Sequence, residues 1–171
     1  MSASKWFSCL LYLGFIAIAA QPVGAILPRT MFRADRFPYR LMGWERDGRI
    51  YDKLRIRNWK DKMPDMSRII GLKKRILPNV CESQVLLLIK ETCVAEFVHL
   101  ALIFLGLHCV SIIESAFAIV VCGLWGVGNL VFVLIQRYNR PILIRLAAKL
   151  HDRELACGAV GGADLDCNLQ A

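Results

Sequence analysis

Charged and apolar positions in this chain separate into long blocks instead of alternating at short range. Trp6 to Leu27 carries no charge, and from Phe7 to Ala20 it is almost entirely apolar. Phe97 to Ile113 is apolar apart from His99, His108 and Ser111, and Ala116 to Ile135 has Asn129 as its only strongly polar side chain. A helix needs about 20 such residues to cross roughly 30 Å of hydrocarbon, so each block predicts a membrane span. Little more than Glu114 and Ser115 separates the second block from the third, which predicts a tight helical hairpin with its turn at one membrane face. The expected fold class is an all-α integral membrane protein with about three transmembrane helices and interfacial amphipathic helices beside them.

The segments between the blocks are basic and amphipathic. Pro28 and Pro38 interrupt helix after the first block, and Trp44 to Asp65 then places Ile50, Tyr51, Leu54, Ile56 and Trp59 among arginines and lysines. Such stretches lie in the membrane interface, with Tyr51 and Trp59 expected at head-group level and Pro64 closing the segment. Residues 66–80, with Lys73, Lys74 and Arg75, are expected to form a surface loop. A helical pattern resumes near Ser83 and runs into the second block. From Val85 to Ile113 it would measure about 43 Å at 1.5 Å per residue, too long for one upright span, so its first part must project, lie in the interface or follow a kink. Pro141 follows the polar run Gln136 to Arg140 and suits the first turn of a new helix. Ile142 to Leu155 is therefore expected to lie along the membrane surface, ahead of a disordered Gly- and Ala-rich tail. The organisation reads as an anchor (1–28), a basic interfacial segment (29–82), a membrane hairpin (83–135), an interfacial helix (136–156) and the tail (157–171).

Composition supports this pattern. Hydrophobic residues make up 56 % of the chain and mean hydropathy is +0.45, which argues against a soluble domain. The first block, with Lys5 ahead of it and Gly24 and Ala25 behind, also fits a secretory signal cleaved near Ala25 or Ile26. Charge distribution favours an uncleaved anchor. Arg29 to Arg75 and the stretch after Ile135 are both basic, while the turn near Glu114 has no Lys or Arg. The positive-inside rule places both basic regions in the cytoplasm and the turn outside, a multi-pass arrangement in the cell membrane with the N-terminus out. The net charge of +8 suits anionic lipid head groups, at about 1 kcal/mol per residue near the surface. It does not call for nucleic acid, which needs a soluble basic face with interleaved aromatics. Seven scattered cysteines include no Cys-x-x-Cys pair, so no zinc or thioredoxin-type site is expected and the thiols read as packing residues.

Three polar groups could carry chemistry. Thr92, Glu96 and His99 share one helical stripe with Glu91 at its side, at the depth where a helix enters the bilayer. Ionisable groups there are costly and are kept for pairing, transport or catalysis. A histidine held by a carboxylate can act as general base toward a hydroxyl, although a polar pair that fixes helix packing accounts for the same residues. Arg137, Asn139 and Arg140 could bind phosphate or carboxylate, or snorkel to head groups. Arg57, Asn58, Trp59, Lys60 and Asp61 form a basic-aromatic patch on the same side. His108 is expected to pack in the bundle and His151 to be ordinary surface. No P-loop, nucleophile elbow, dinucleotide fingerprint or His-Glu-x-x-His motif is present, nor the His-x4-Asp of glycerolipid acyltransferases, so neither a metal nor a resident cofactor is expected.

Three strings, WERDGRIYDKLRIRNWKDKMPD (Trp44–Asp65), KETCVAEFVH (Lys90–His99) and LIQRYNRP (Leu134–Pro141), resemble in order and spacing the glycosyl-4,4'-diaponeurosporenoate acyltransferase family. Val94, Leu100 and the span around Leu130 to Phe132 depart from its usual residues. The resemblance implies transfer of a fatty acyl group to the sugar hydroxyl of a glycosylated C30 carotenoid acid. Its matched polar positions are Glu45, Arg57, Trp59, Lys60, Glu91, Thr92, Glu96, His99, Gln136, Arg137, Tyr138, Asn139 and Arg140. On that basis His99 oriented by Glu96 would be the base. Arg137 and Arg140, with Lys60, would hold the phosphate of an acyl-CoA or acyl carrier protein donor, a co-substrate and not a cofactor. Arg57, Trp59, Glu91, Thr92, Gln136, Tyr138 and Asn139 would also line the substrate site. Partners would be membrane lipids, a lipophilic glycosylated acceptor and the donor, and a homo-oligomer is compatible with so few spans. The alternative is a non-catalytic scaffold for a lipid-modifying enzyme.

Overall fold

The computed structural model describes residues 3–60, 81–113 and 116–160. The expected loop at 66–80, the hairpin turn at Glu114 and Ser115, and residues 161–171 of the tail lie outside the described residues. Among the described residues every regular element is a helix. These are α1 (Ala3–Ile26), α2 (Arg49–Lys53), α3 (Ile56–Trp59), α4 (Glu82–Gly106), α5 (Cys109–Ile113) and α6 (Ala116–Val160), with short 3-10 turns at Arg29–Met31 and Gly43–Gly48. Three stretches are long and apolar enough to cross a membrane: Lys5–Ile26, Glu82–Ile112 and Ala118–Leu155. This is the helical membrane protein that the block pattern predicts.

α4 and α6 form the body of the fold, packed antiparallel along their length. At one end Cys9, Leu13 and Ile16 of α1 meet Leu102 of α4, Cys109 of α5, and Ala118 and Cys122 of α6. At the other, Val85 and Ile89 of α4 pack on Ala147 of α6, with Leu143, Leu146 and Leu150 around them. Between these layers lies a polar level, described below. The outer faces carry exposed Phe7, Phe15, Phe104, Ile119 and Leu124, a surface that suits lipid and not water. Cys9, Cys109 and Cys122 are buried free thiols within the apolar layer, which is the packing role expected of them.

The second span does not run as one rod. The helix breaks at Leu107 and His108, whose N–H groups bond to the carbonyls of Phe104 and Leu105. The N–H of Val110 turns to the Leu107 carbonyl, which frees Gly106 O to accept from Cys122 Sγ at 3.3 Å. Trp125 packs directly against Gly106 and donates Nε1–H to Leu102 O at 2.7 Å. A Cβ at position 106 would lie 2.3 Å from Trp125 Cδ1, so only glycine permits this approach. Gly106→Ala is expected to displace the indole and cost about 1–3 kcal/mol, read as a lower thermal midpoint of the purified membrane protein.

Two sequence expectations change here. Pro141 does not open a new helix: α6 runs unbroken from Ala116 to Val160 with Pro141 inside it. A mid-helix proline costs about 3 kcal/mol in isolation, but α6 is packed on both sides of it, by Ile135 and Tyr138 against Tyr51 and Ile56 before it and by Ala147 against Val85 and Ile89 of α4 after it. Residues 136–156 therefore continue the helix of the third span without a break instead of starting a separate one, and residues 157–160 complete its last turn. The Trp44–Asp65 stretch, expected as an amphipathic interfacial segment with Tyr51 at head-group level, is described as far as residue 60 and folds as short helices. α2 and α3 are separated at Arg55, which sits at φ 49°, and Tyr51 and Ile56 fold inward while Trp44 and Leu54 stay exposed. Tyr51 is buried rather than at head-group level, packing with Ile56 on Ile135 and Tyr138.

Candidate functional site

The polar level is roofed by residues 29–60 and walled by α4 and α6. Thr92 and Glu96 lie one turn apart on α4; Arg137 and Arg140 are three apart on α6, so each pair points from one helix face toward the other. Arg137 donates Nε–H to Glu45 Oε1 and Nη2–H to Glu45 Oε2, both at 2.8 Å. Its Nη1 reaches Glu96 Oε1 at 2.6 Å and the Pro38 carbonyl at 3.1 Å, and Nη2 also reaches the Arg40 carbonyl at 3.3 Å. Arg140 donates to Thr92 Oγ1 at 3.0 Å, Tyr39 O at 2.5 Å, Thr92 O at 3.2 Å and Glu96 Oε2 at 2.5 Å. Glu45 further accepts the Met42 N–H at 2.5 Å and the Tyr51 hydroxyl. Two carboxylates and two guanidiniums thus close a neutral chain from Glu45 through Arg137 and Glu96 to Arg140.

Burial decides what this chain can do. Glu45 and Arg140 are fully inaccessible, Glu96 is 1 % exposed and Arg137 8 %. Among the described residues no buried side-chain polar atom lacks a partner. Burial pushes the Glu45 carboxyl up, but the Arg137 guanidinium, the Met42 N–H and the Tyr51 hydroxyl outweigh it and hold the group below the usual carboxylate range. The Tyr51 hydroxyl is driven well above its ordinary range by burial and by the Glu45 carboxylate. The phosphate-holding role expected for Arg137 and Arg140 is therefore corrected: their donors are spent inside the protein, where they clamp the roof to the two helices.

His99 stands apart from this chain. Its expected partner Glu96 is occupied by the two arginines, and His99 Nδ1 instead meets Asn129 Oδ1 at 3.0 Å. Asn129 donates Nδ2–H to Trp125 O at 3.0 Å, which fixes the amide so that Oδ1 faces the imidazole. The proton is thereby assigned to Nδ1, leaving Nε2 as the basic nitrogen. Among the described residues Nε2 has no hydrogen-bond partner. The ring is only partly buried and stacks on Phe132, centroids 4.8 Å apart and planes 9° from parallel. Asn129, absent from the site expected from sequence, is the residue that orients the histidine. Its signal was present, as the only strongly polar side chain in an apolar span.

The other expected positions divide. Glu91 pairs with Arg29, whose Nε and Nη2 reach its two carboxylate oxygens at 2.8 and 3.2 Å. Lys60 donates to Asn139 Oδ1 at 3.0 Å and lies over the Tyr138 ring, 5.1 Å from its centroid. Trp59 ties its indole to Leu54 O, Arg57 is exposed, and Gln136 has no hydrogen bond among the described residues. His108 is exposed at the helix break, its ring edge-on to Tyr12, and does not pack inside the bundle; exposed His151 meets Glu82 at 3.0 Å. Among the described residues no group of His, Cys, Asp and Glu could hold a metal ion.

The sequence family described as glycosyl-4,4'-diaponeurosporenoate acyltransferase matches residues 28–149. The chain belongs to this family. It is thus an acyltransferase by descent, as the three strings implied. The matched stretch holds the whole roof, the Glu45–Arg137–Glu96–Arg140 chain, and His99 with Asn129. Proteins of Staphylococcus aureus carrying the family's name are similar over most of their length. Those of strains bovine RF122 / ET3-1 and MRSA252 are 27 % identical over 157 and 158 residues, and that of strain COL is 26 % identical over 156. Each alignment covers 86 % of this chain and 90 % of the relative. No solved structure matches the chain.

Proposed function

We propose that the protein is a cell-membrane acyltransferase that moves a fatty acyl group from a thioester donor, acyl-CoA or acyl carrier protein, to a sugar hydroxyl of a glycosylated carotenoid or related glycolipid. The observation that carries this reading is His99, whose Nε2 is left basic by the Asn129 contact and faces no competing partner, within a chain of acyltransferase descent. Nε2 takes the proton of the sugar hydroxyl, and the oxygen attacks the thioester carbonyl. The new C–O ester bond forms, the C–S bond breaks, and the leaving thiolate recovers the proton from the imidazolium. Asn129 is a positioning residue that keeps the imidazole in the Nδ1–H form. The carboxylate–guanidinium chain acts indirectly, holding α4 and α6 in the register that sets His99 beside Asn129. Both lipophilic substrates would approach from the bilayer, and the basic end of the bundle would face the cytoplasm, where thioester donors occur.

The reading is tested by comparing lipid and pigment extracts of cells with and without the gene by mass spectrometry. A glycosylated lipid or carotenoid that gains a fatty acyl mass only in the presence of the gene is the expected result. No acyl-dependent difference, with the protein present in the membrane, would refute it.

A further inference from the structure

With Arg137 and Arg140 enclosed, a phosphate-bearing donor needs cations elsewhere, and the structure offers an open pair. A cavity of about 190 Å³ lies between α2 and α6 at the basic end of the bundle. α6 contributes Tyr138, Ile142 and Arg145, positions that share one helical stripe, and α2 contributes Arg49 and Asp52. Its floor is set by glycine: Gly48 sits at φ +92°, and a Cβ there would come within 3.1 Å of the Pro141 ring. The volume far exceeds the roughly 10–15 Å³ that one water needs, leaving room for a phosphoryl group and its solvation.

The charges around the cavity favour an anion. Arg49 and Arg145 are exposed, and neither has a hydrogen bond or ion pair among the described residues. Their planar forks suit phosphate oxygens. Asp52 opposes them, but Lys60, over the ring of the lining residue Tyr138, adds a further positive charge beside the cavity. Position along α6 adds a length argument. From Phe132, stacked on His99, to Arg145 the helix rises about 20 Å, comparable to an extended pantetheine arm.

We infer that Arg49 and Arg145 bind the phosphate at the base of the donor's pantetheine arm, so that the thioester at its far end reaches His99. This inference rests on the thioester-donor reading proposed above, and it is tested by binding rather than by turnover. The full-length protein in nanodiscs is titrated calorimetrically with coenzyme A and, separately, with phosphate-free pantetheine. The expected result is that coenzyme A binds, that Arg49→Gln with Arg145→Gln weakens it about tenfold to a hundredfold, and that pantetheine binds weakly and equally to both proteins. Helix content by circular dichroism controls for folding, which both exposed sites should spare.

Unchanged coenzyme A affinity in the double variant, equal binding of pantetheine and coenzyme A to the unsubstituted protein, or no coenzyme A binding at all would overturn the site. A double variant that keeps its coenzyme A affinity but loses co-purifying anionic phospholipid would assign the pair to head groups, also overturning it. Coenzyme A binding lost in the double variant, with no acyl transfer by either protein, would sink the proposed reaction while leaving the phosphate site standing.

Discussion

Glu96→Ala is expected to destabilise the protein by about 3–5 kcal/mol, because it removes one carboxylate from between two buried guanidiniums. Arg137 would keep its two bonds to Glu45. Arg140 would keep Thr92 and the Tyr39 carbonyl but lose its only anionic partner among the described residues, at a site with no exposure. Glu96→Gln keeps the volume but turns a neutral chain into one with net positive charge, so it should fall between wild type and Ala. Pairing Glu96→Leu with Arg140→Leu removes opposite charges together and is expected to recover much of the loss, since a buried ion pair can be replaced by apolar groups at little cost. Unfolding midpoints of wild type, Glu96→Leu, Arg140→Leu and the double leucine variant in one detergent form a double-mutant cycle. A cycle with no coupling, or a Glu96→Ala protein as stable as wild type, would show that the carboxylate does not hold the helices.

The same residues show what the sequence could disclose. The stripe Thr92, Glu96, His99 was legible from helical spacing, and all three members do face α6. Spacing says which side chains share a face but not what lies opposite. The opposite residues follow from the register of the hairpin, which sets His99 beside Asn129 and Glu96 a turn further along, toward Arg137. That register was implicit in the position of the turn, and Asn129 was the polar residue to look for. Glu45 is different. Its partner Arg137 is remote in sequence, the roof that brings them together contains no long element, and an exposed interfacial segment fits its local pattern equally well. Pro141 misled for a related reason: proline's intrinsic penalty is a local quantity, whereas the continuity of α6 comes from its packing on α4. The three apolar stretches were legible because length and hydropathy are properties of the chain alone, whereas their bounds depend on packing.

His99→Asn is expected to abolish most activity while leaving the fold in place. Asparagine can put an amide N–H near the Nδ1 position and keep the contact to Asn129 Oδ1, but it offers no base where Nε2 stood. Loss of a positioned general base typically costs 10²- to 10⁴-fold in rate, so kcat should fall about that far with acceptor KM little changed. The unfolding midpoint should stay near that of wild type, because the helices remain joined by the carboxylate–guanidinium chain and the apolar layers on either side. Asn129→Leu supplies the complementary test. It leaves the imidazole present but removes the acceptor that assigns its proton, so activity should fall less than in His99→Asn, and combining the two should add little beyond the histidine change alone. That non-additivity distinguishes a residue acting through His99 from one that merely fills space. Undiminished acyl transfer by a well-folded His99→Asn protein would remove the histidine from the reaction and return the search for the base to the remaining polar residues at this level of the bundle.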